Sequence, residues 1–303
     1  MANRMRRICR VAFLIVCCCV VSQAQTRNAP EFERVSKDKG PVQTYRFQSK
    51  LMGRPMLFQV VAPLQARHSA NYRGPKLVYP IMYLLHGLAG HYDNWSTKTQ
   101  IAKYAAEYKW TIVLPEGGDG WYTDSVTVSG DRYESYLINE LFPLIDRWFG
   151  PDTSRTRGIA GLSMGGYGAI KFGLKYPEKF SIVGSFSGAL DAPLRTEKSA
   201  FLRPSITSVF GPDDSRTRID NDVFGLARNA ATDKTKTLPF IYLDCGTEDP
   251  FLPVNRDFDA LLVDKKIPHE FRELPGNHGW EYWDRQIQEF LRVANTRRNS
   301  YPR

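Results

Sequence analysis

Apolar and polar positions change their period repeatedly along this chain. Between Val42 and Ser49 they alternate, with Tyr45 and Phe47 on one face, and after the turn Met52-Gly53-Arg54-Pro55 a second strand-like run covers Met56 to Ala62. Alternation on both sides of a Gly-Pro turn predicts a β-hairpin at a sheet edge. Pro80 to Gly87 is instead almost continuously apolar, as expected of a central parallel strand covered on both faces. Trp110–Pro115, Gly158–Ala160, Ser181–Phe186, Phe240–Asp244 and His269–Leu274 read as further short strands. Between them the spacing turns helical. Ser96–Lys109 places Ile101, Tyr104, Ala105 and Tyr108 on one stripe, and Arg132–Phe149 does the same with Tyr133, Leu137, Leu141, Leu144, Ile145 and Trp148. Ala169–Lys175, Val254–Lys265 and Trp280–Val293 follow, the last with Trp283, Ile287, Phe290 and Leu291 facing inward. Pro143 is expected to kink or interrupt its helix, and Pro177 to stop the preceding one near Tyr176. Strands alternating with helices predict an α/β fold, a mostly parallel central sheet with helices on both faces.

No repeat or linker divides the chain, so residues 42–295 read as one domain. Residues 191–238 break the alternation, with prolines at 193, 204 and 212 and many charges. They are expected to form a small cap-like insertion with short helices of its own. Residues 25–41 read as a flexible lead-in, and the basic tail 296–303 as frayed and solvated.

The first 24 residues differ in kind. Arg4, Arg6, Arg7 and Arg10 precede the apolar run Val11–Val21, and Ser22-Gln23-Ala24 supplies small residues for cleavage. This predicts a signal peptide cut after Ala24 and a secreted or periplasmic protein, with no stable membrane insertion afterwards, because the run is too short to span a bilayer. Removing it changes the composition: four of the 41 Lys and Arg leave, so 37 remain against 32 Asp and Glu, a formal +5 in place of +9. Cys9, Cys17, Cys18 and Cys19 leave too. Cys245 alone remains, which excludes an intramolecular disulfide even in an oxidising compartment. The modest positive charge lacks the basic-aromatic interleaving of a nucleic-acid binder.

Candidate chemistry gathers at Gly161-Leu162-Ser163-Met164-Gly165-Gly166-Tyr167-Gly168. A G-x-S-x-G between a strand and a helix is the nucleophile elbow of α/β-hydrolases, a turn so tight that the flanking positions must lack bulk. Ser163 is the expected nucleophile, and a serine needs a base to take its proton. Of the five histidines, His68, His86 and His91 precede Ser163, whereas the chain order of this fold is serine, acid, histidine. His269 should sit at the start of its strand, the wrong end. His278 lies just past the end of that strand, where catalytic groups gather, and is the expected base. The acid should also follow a strand. Asp244 is still inside one, leaving Glu248 and Asp249, of which Asp249 is the choice, to hold the His278 tautomer. An oxyanion hole needs two backbone N–H groups, assigned to Met164 and to Leu88 in the loop after the Pro80–Gly87 strand. His86 is read as packing and orienting that loop, since nothing nearby supplies three further metal ligands. Trp121 and Tyr122 could wall an acyl or aryl pocket or be packed turn structure.

Taken together, Leu84-Leu85-His86-Gly87, Trp121-Tyr122-Thr123-Asp124, the Gly161–Gly168 elbow and Asn277-His278-Gly279-Trp280 resemble the esterase family typified by esterase D. That family includes S-formylglutathione hydrolases, feruloyl, acetyl-xylan and tributyrin esterases, and the antigen 85 mycolyltransferases. The likeness runs from about residue 42 to residue 292. It implies an α/β-hydrolase fold, a Ser163–Asp249–His278 triad, oxyanion N–H groups at Leu88 and Met164, and no metal or other cofactor. The implied substrate is a small-molecule or polysaccharide-linked ester. The leader argues against the cytosolic S-formylglutathione hydrolases. Where this chain has His86-Gly87-Leu88 the mycolyltransferases have Asp-Gly-Leu, which argues against acyl transfer to a sugar, and exported tributyrin or feruloyl esterases are the nearest fit. A carboxylesterase is therefore expected, with an acyltransferase or a non-catalytic binding protein as the alternatives.

Overall fold

The computed structural model describes residues 32–36, 40–63, 79–149, 157–195, 202–233 and 235–300. The expected leader, most of the lead-in and the loop with His68 lie outside the described residues. Nine strands form one sheet: β1 (Glu33–Arg34), β2 (Val42–Gln48), β3 (Pro55–Val61), β4 (Ile81–Leu85), β5 (Thr111–Pro115), β6 (Arg157–Leu162), β7 (Ile182–Phe186), β8 (Phe240–Gly246) and β9 (His269–Leu274). Their order is β1-β2-β3-β5-β4-β6-β7-β8-β9. The hairpin β2–β3 and its contact with β5 are antiparallel, and every pairing from β5 through β4 to β9 is parallel. β6, whose end carries the elbow, is therefore central, while β9 is an outer strand.

Every residue of β4, β5, β6 and β7 is buried, the polar Thr111, Arg157 and Ser185 included, as expected of largely apolar central strands. Because successive side chains point to opposite faces, the sheet carries two cores. One holds Tyr83, Val113, Ile159, Val183 and Leu243. The other holds Met82, Leu84, Ile112, Ala160, Phe186 and Tyr242.

The helices divide between these faces. α1 (Asn94–Lys98) and α2 (Ile101–Tyr108) lie on the second face, where a single helix over Ser96–Lys109 was expected. The break falls at Thr99, which is extended, and at Gln100, whose N–H donates to Asp284 Oδ1 at 2.9 Å. On the first face, the expected Arg132–Phe149 helix runs as α3 (Tyr133–Tyr136), a π turn over Leu137–Leu141 and α4 (Phe142–Phe149). The widened turn directly precedes Pro143, whose ring would otherwise clash with the carbonyl one turn back. α5 (Met164–Lys175) follows the elbow and is buried along nearly its whole length. The 191–238 stretch does form short helices: α6 (Arg203–Phe210), α7 (Arg216–Asp220) and α8 (Val223–Thr232). It packs beside α5, where Tyr167 Oη donates to the Asn221 carbonyl at 2.9 Å.

α9 (Leu252–Asp264) and α10 (Trp280–Ser300) complete the chain. Two expectations need correction. The lead-in contains β1, held antiparallel to β2 and pinned by an Arg46–Glu33 ion pair. The tail does not fray at 296, because α10 continues to Ser300. Arg297 caps the Phe240 ring at 3.1 Å and Arg298 lies over Trp110, so these basic residues are spent on aromatic faces. Among the described residues no helix is long and apolar enough to cross a membrane.

Candidate active site

The turn after β6 is as tight as its glycines suggest. Ser163 adopts φ +53° and ψ −117°, a region that side chains rarely occupy and that persists only when neighbours enforce it. Its N–H donates to the Phe186 carbonyl at 2.9 Å, and its carbonyl accepts from Tyr167 and Ala189. A Cβ on Gly161 would stand 2.5 Å from the backbone of Gly165, and one on Gly165 would stand 2.5 Å from the Leu85 carbonyl oxygen. Neither position can hold a side chain while β4, β6 and α5 keep their spacing.

Three side chains meet here from three segments. Asp249, in the turn after β8, is buried and accepts the Phe251 N–H at 2.8 Å through Oδ1. Its Oδ2 accepts from His278 Nδ1 at 2.8 Å, and His278 Nε2 faces Ser163 Oγ at 3.0 Å. With the Nδ1 proton committed to the carboxylate, Nε2 presents its lone pair to the serine hydroxyl. The competing acids lie elsewhere. Glu248 is exposed, and among the described residues its carboxylate accepts only from its neighbour Thr247 Oγ1 at 3.1 Å. Asp244 is sealed within β8, and burial pushes its carboxyl well above the usual range. His269 sits at the start of β9, bound to Asp259 and the Ile267 carbonyl.

The loop after β4 faces the elbow. Among the described residues no acceptor lies on the N–H of Leu88 or of Met164, and Met164 opens α5, where helix N–H groups and the dipole favour negative charge. His86 fixes this loop. Its Nδ1 lies 2.8 Å from the Gly87 carbonyl and its Nε2 accepts the Gly117 N–H at 2.9 Å. Two more bonds hold the same loop, from Trp95 Nε1 to the Leu85 carbonyl at 3.0 Å and from Tyr122 Oη to the His86 carbonyl at 2.8 Å.

Trp121 and Tyr122 therefore do not wall the pocket. Both side chains are fully buried, and both backbones have positive φ. Trp121 Nε1 donates to Ser205 Oγ at 3.0 Å and joins that loop to α6. Behind them, the buried Lys171 donates to the Tyr122 carbonyl, Thr123 Oγ1 and Glu134. A cleft of about 760 Å³ opens over Ser163 instead, lined by residues that include Leu88, Lys98, Arg195, Phe251, Trp280 and Trp283. Of these only Leu88 is marked as a site residue by the sequence, although Trp280 and Trp283 lie close behind His278 in the chain.

A nine-stranded, mostly parallel sheet with a strained serine at the turn after a central strand is an α/β-hydrolase. Residues 49–293 match the Esterase family, and the chain belongs to that family. It is 30% identical over 213 residues to an acetyl esterase of Caldicellulosiruptor saccharolyticus, covering 68% of this chain and 79% of that protein. It is 26% identical over 288 residues to an S-formylglutathione hydrolase of Paracoccus denitrificans, covering 86% of this chain and 94% of that one. The solved structure of a fluorophosphonate-binding serine hydrolase of Staphylococcus aureus superposes with a TM-score of 0.76 at 26% identity, over 84% of this chain and 99% of that chain. The protein is a carboxylesterase.

Proposed function

We propose that this carboxylesterase is exported and hydrolyses short-chain acyl or aryl esters through an acyl-enzyme formed on Ser163. The observation that carries the reading is the alignment of Ser163 Oγ, His278 and Asp249 at 3.0 and 2.8 Å, with the N–H groups of Leu88 and Met164 free of acceptors among the described residues. His278 Nε2 takes the hydroxyl proton as Oγ bonds to the ester carbonyl carbon. The carbonyl oxygen becomes an oxyanion held by the N–H groups of Leu88 and Met164. As the C–O bond to the alcohol breaks, His278 returns its proton to the leaving oxygen. Water then adds to the acyl-serine with His278 again as base, and the free acid departs. Asp249 holds the imidazole and stabilises its charged form without taking the proton.

Similarity to an acetyl esterase supports a small acyl group, and the Arg-rich, then apolar, then small-residue pattern of the first 24 residues supports export. Ser163→Ala is expected to lower turnover of p-nitrophenyl acetate by about 10⁴-fold or more with unchanged circular dichroism. Undiminished turnover would remove the assignment. Protein recovered outside the cytoplasm should begin at Gln25, and free acid should remain the main product when alcohol acceptors are added.

A further inference from the structure

An aromatic strip runs through the imidazole of His278. The Phe251 ring lies 5.0 Å from His278 and the Trp283 ring 4.9 Å from it, with Trp280 a further 5.3 Å from Trp283. A cation stands at each end: the Arg195 guanidinium 5.0 Å over Phe251, and Lys98 Nζ 5.7 Å over Trp280. No carboxylate lines the cleft among the described residues. The two cations are not equivalent. Arg195 is occupied by Asp191 at 2.7 Å, whereas Lys98 is exposed and has no carboxylate within ion-pair distance among the described residues. Trp280 is half-buried and clamped edge-on between Trp95 and Trp283, at interplanar angles of 85° and 89°. An indole with an ammonium over its ring that pairs with no carboxylate among the described residues offers an apolar surface next to one positive charge.

We infer that Trp280 and Lys98 form a subsite for a leaving-alcohol ring that bears a carboxylate, so that the ester class taken is an O-acylated cyclic hydroxy acid. This rests on the hydrolysis at Ser163 proposed above. The leaving oxygen must come within reach of His278 Nε2 to receive its proton, and a ring attached to that oxygen extends along the aromatic strip. There its face meets Trp280 and its carboxylate meets Lys98. Long-range attraction adds to this, because a cleft lined by charge of one sign concentrates ligands of the other.

The test uses the full-length mature enzyme and a charged and neutral pair of aryl acetates, 4-acetoxybenzoate and 4-acetoxybenzamide, with p-nitrophenyl acetate as the check on the underlying hydrolysis. The readout is the ratio of kcat/KM for the charged over the neutral probe, in which the probes' intrinsic reactivities cancel between proteins. Lys98→Ala should lower that ratio about fourfold at low salt and Lys98→Glu about tenfold or more, both effects shrinking as salt rises. Trp280→Leu should lower kcat/KM for both ring-bearing probes more than for ethyl acetate. Equal ratios in wild type, Lys98→Ala and Lys98→Glu would overturn the assignment of charge recognition, and equal losses on ring and non-ring esters in Trp280→Leu would overturn the stacking. Failure of the wild type to hydrolyse p-nitrophenyl acetate would instead overturn the Ser163 reading, and the subsite with it.

Discussion

Lys171, on the helix that begins at the elbow, is fully buried and places its Nζ 2.8 Å from Glu134 Oε2. Glu134 also pairs with Lys175 at 2.6 Å and accepts the Tyr176 hydroxyl at 2.7 Å. Burial alone would raise the Glu134 carboxyl, but the two ammonium groups outweigh it and hold the pKa at about 2. A carboxyl whose folded pKa lies below its unfolded value adds stability that is complete above the unfolded pKa and is lost as pH falls toward the folded one. In urea unfolding followed from pH 6 downward, this group should give up roughly 3 kcal/mol by pH 2. Glu134→Gln should flatten that part of the acid limb, and at pH 7 it should cost about 3 kcal/mol, because Lys171, whose pKa burial already lowers to about 8, must shed its proton once the partner charge is gone. A Gln variant with wild-type stability at pH 7 would show the pair to be dispensable.

Asp249 and Glu248 are neighbours in sequence with opposite surroundings, one sealed against His278 and the other in solvent. Asp249→Asn should cut kcat on p-nitrophenyl acetate by about 10³–10⁴-fold, because an amide no longer fixes the reactive tautomer. Labelling of Ser163 by a fluorophosphonate should slow in parallel. Glu248→Gln should stay within about threefold of wild type, as surface changes away from the site do. Losses of the opposite ranking would exchange the two roles.

His86 ties the loop that carries Leu88 to the loop after β5, through the Gly87 carbonyl at Nδ1 and the Gly117 N–H at Nε2. His86→Ala should leave the Gly117 N–H without its acceptor and loosen the Leu88 N–H, costing about 10–100-fold in kcat on p-nitrophenyl acetate. KM should change less than kcat, since an oxyanion donor acts chiefly on the transition state. A loss carried by KM alone would assign His86 to substrate binding.

Much of the site was legible because its parts obey local rules. The elbow needs glycines two positions either side of Ser163, and His278 and Asp249 each follow a strand end, where parallel sheets collect their chemistry. What stayed hidden depends on long-range packing. Trp121 and Tyr122 look the same in sequence whether they face a pocket or a core, and here α6, Lys171 and the His86 carbonyl draw them inward. Lys98 and Trp280 lie in segments far apart in the chain, and no periodicity could bring them together over one cleft. The arrest of one expected helix at Thr99 depends on Asp284, a contact that spans most of the domain. Pro143 announced a disturbance in its helix, but not that the chain would answer with a wider turn in place of a break.

The order of strands also sets how the enzyme should fail. Ser163 stands at the end of β6, in the middle of the sheet, whereas His278 follows β9, which among the described residues pairs only with β8 at the rim. Outer strands with a single neighbour open more readily than inner ones. On warming, His278 should therefore be withdrawn while the turn of Ser163 is still intact, so catalysis should lapse a few degrees before the molecule melts and return as soon as the last strand re-docks. Heat inactivation of this protein should begin as a reversible event at its margin, before any loss of the fold.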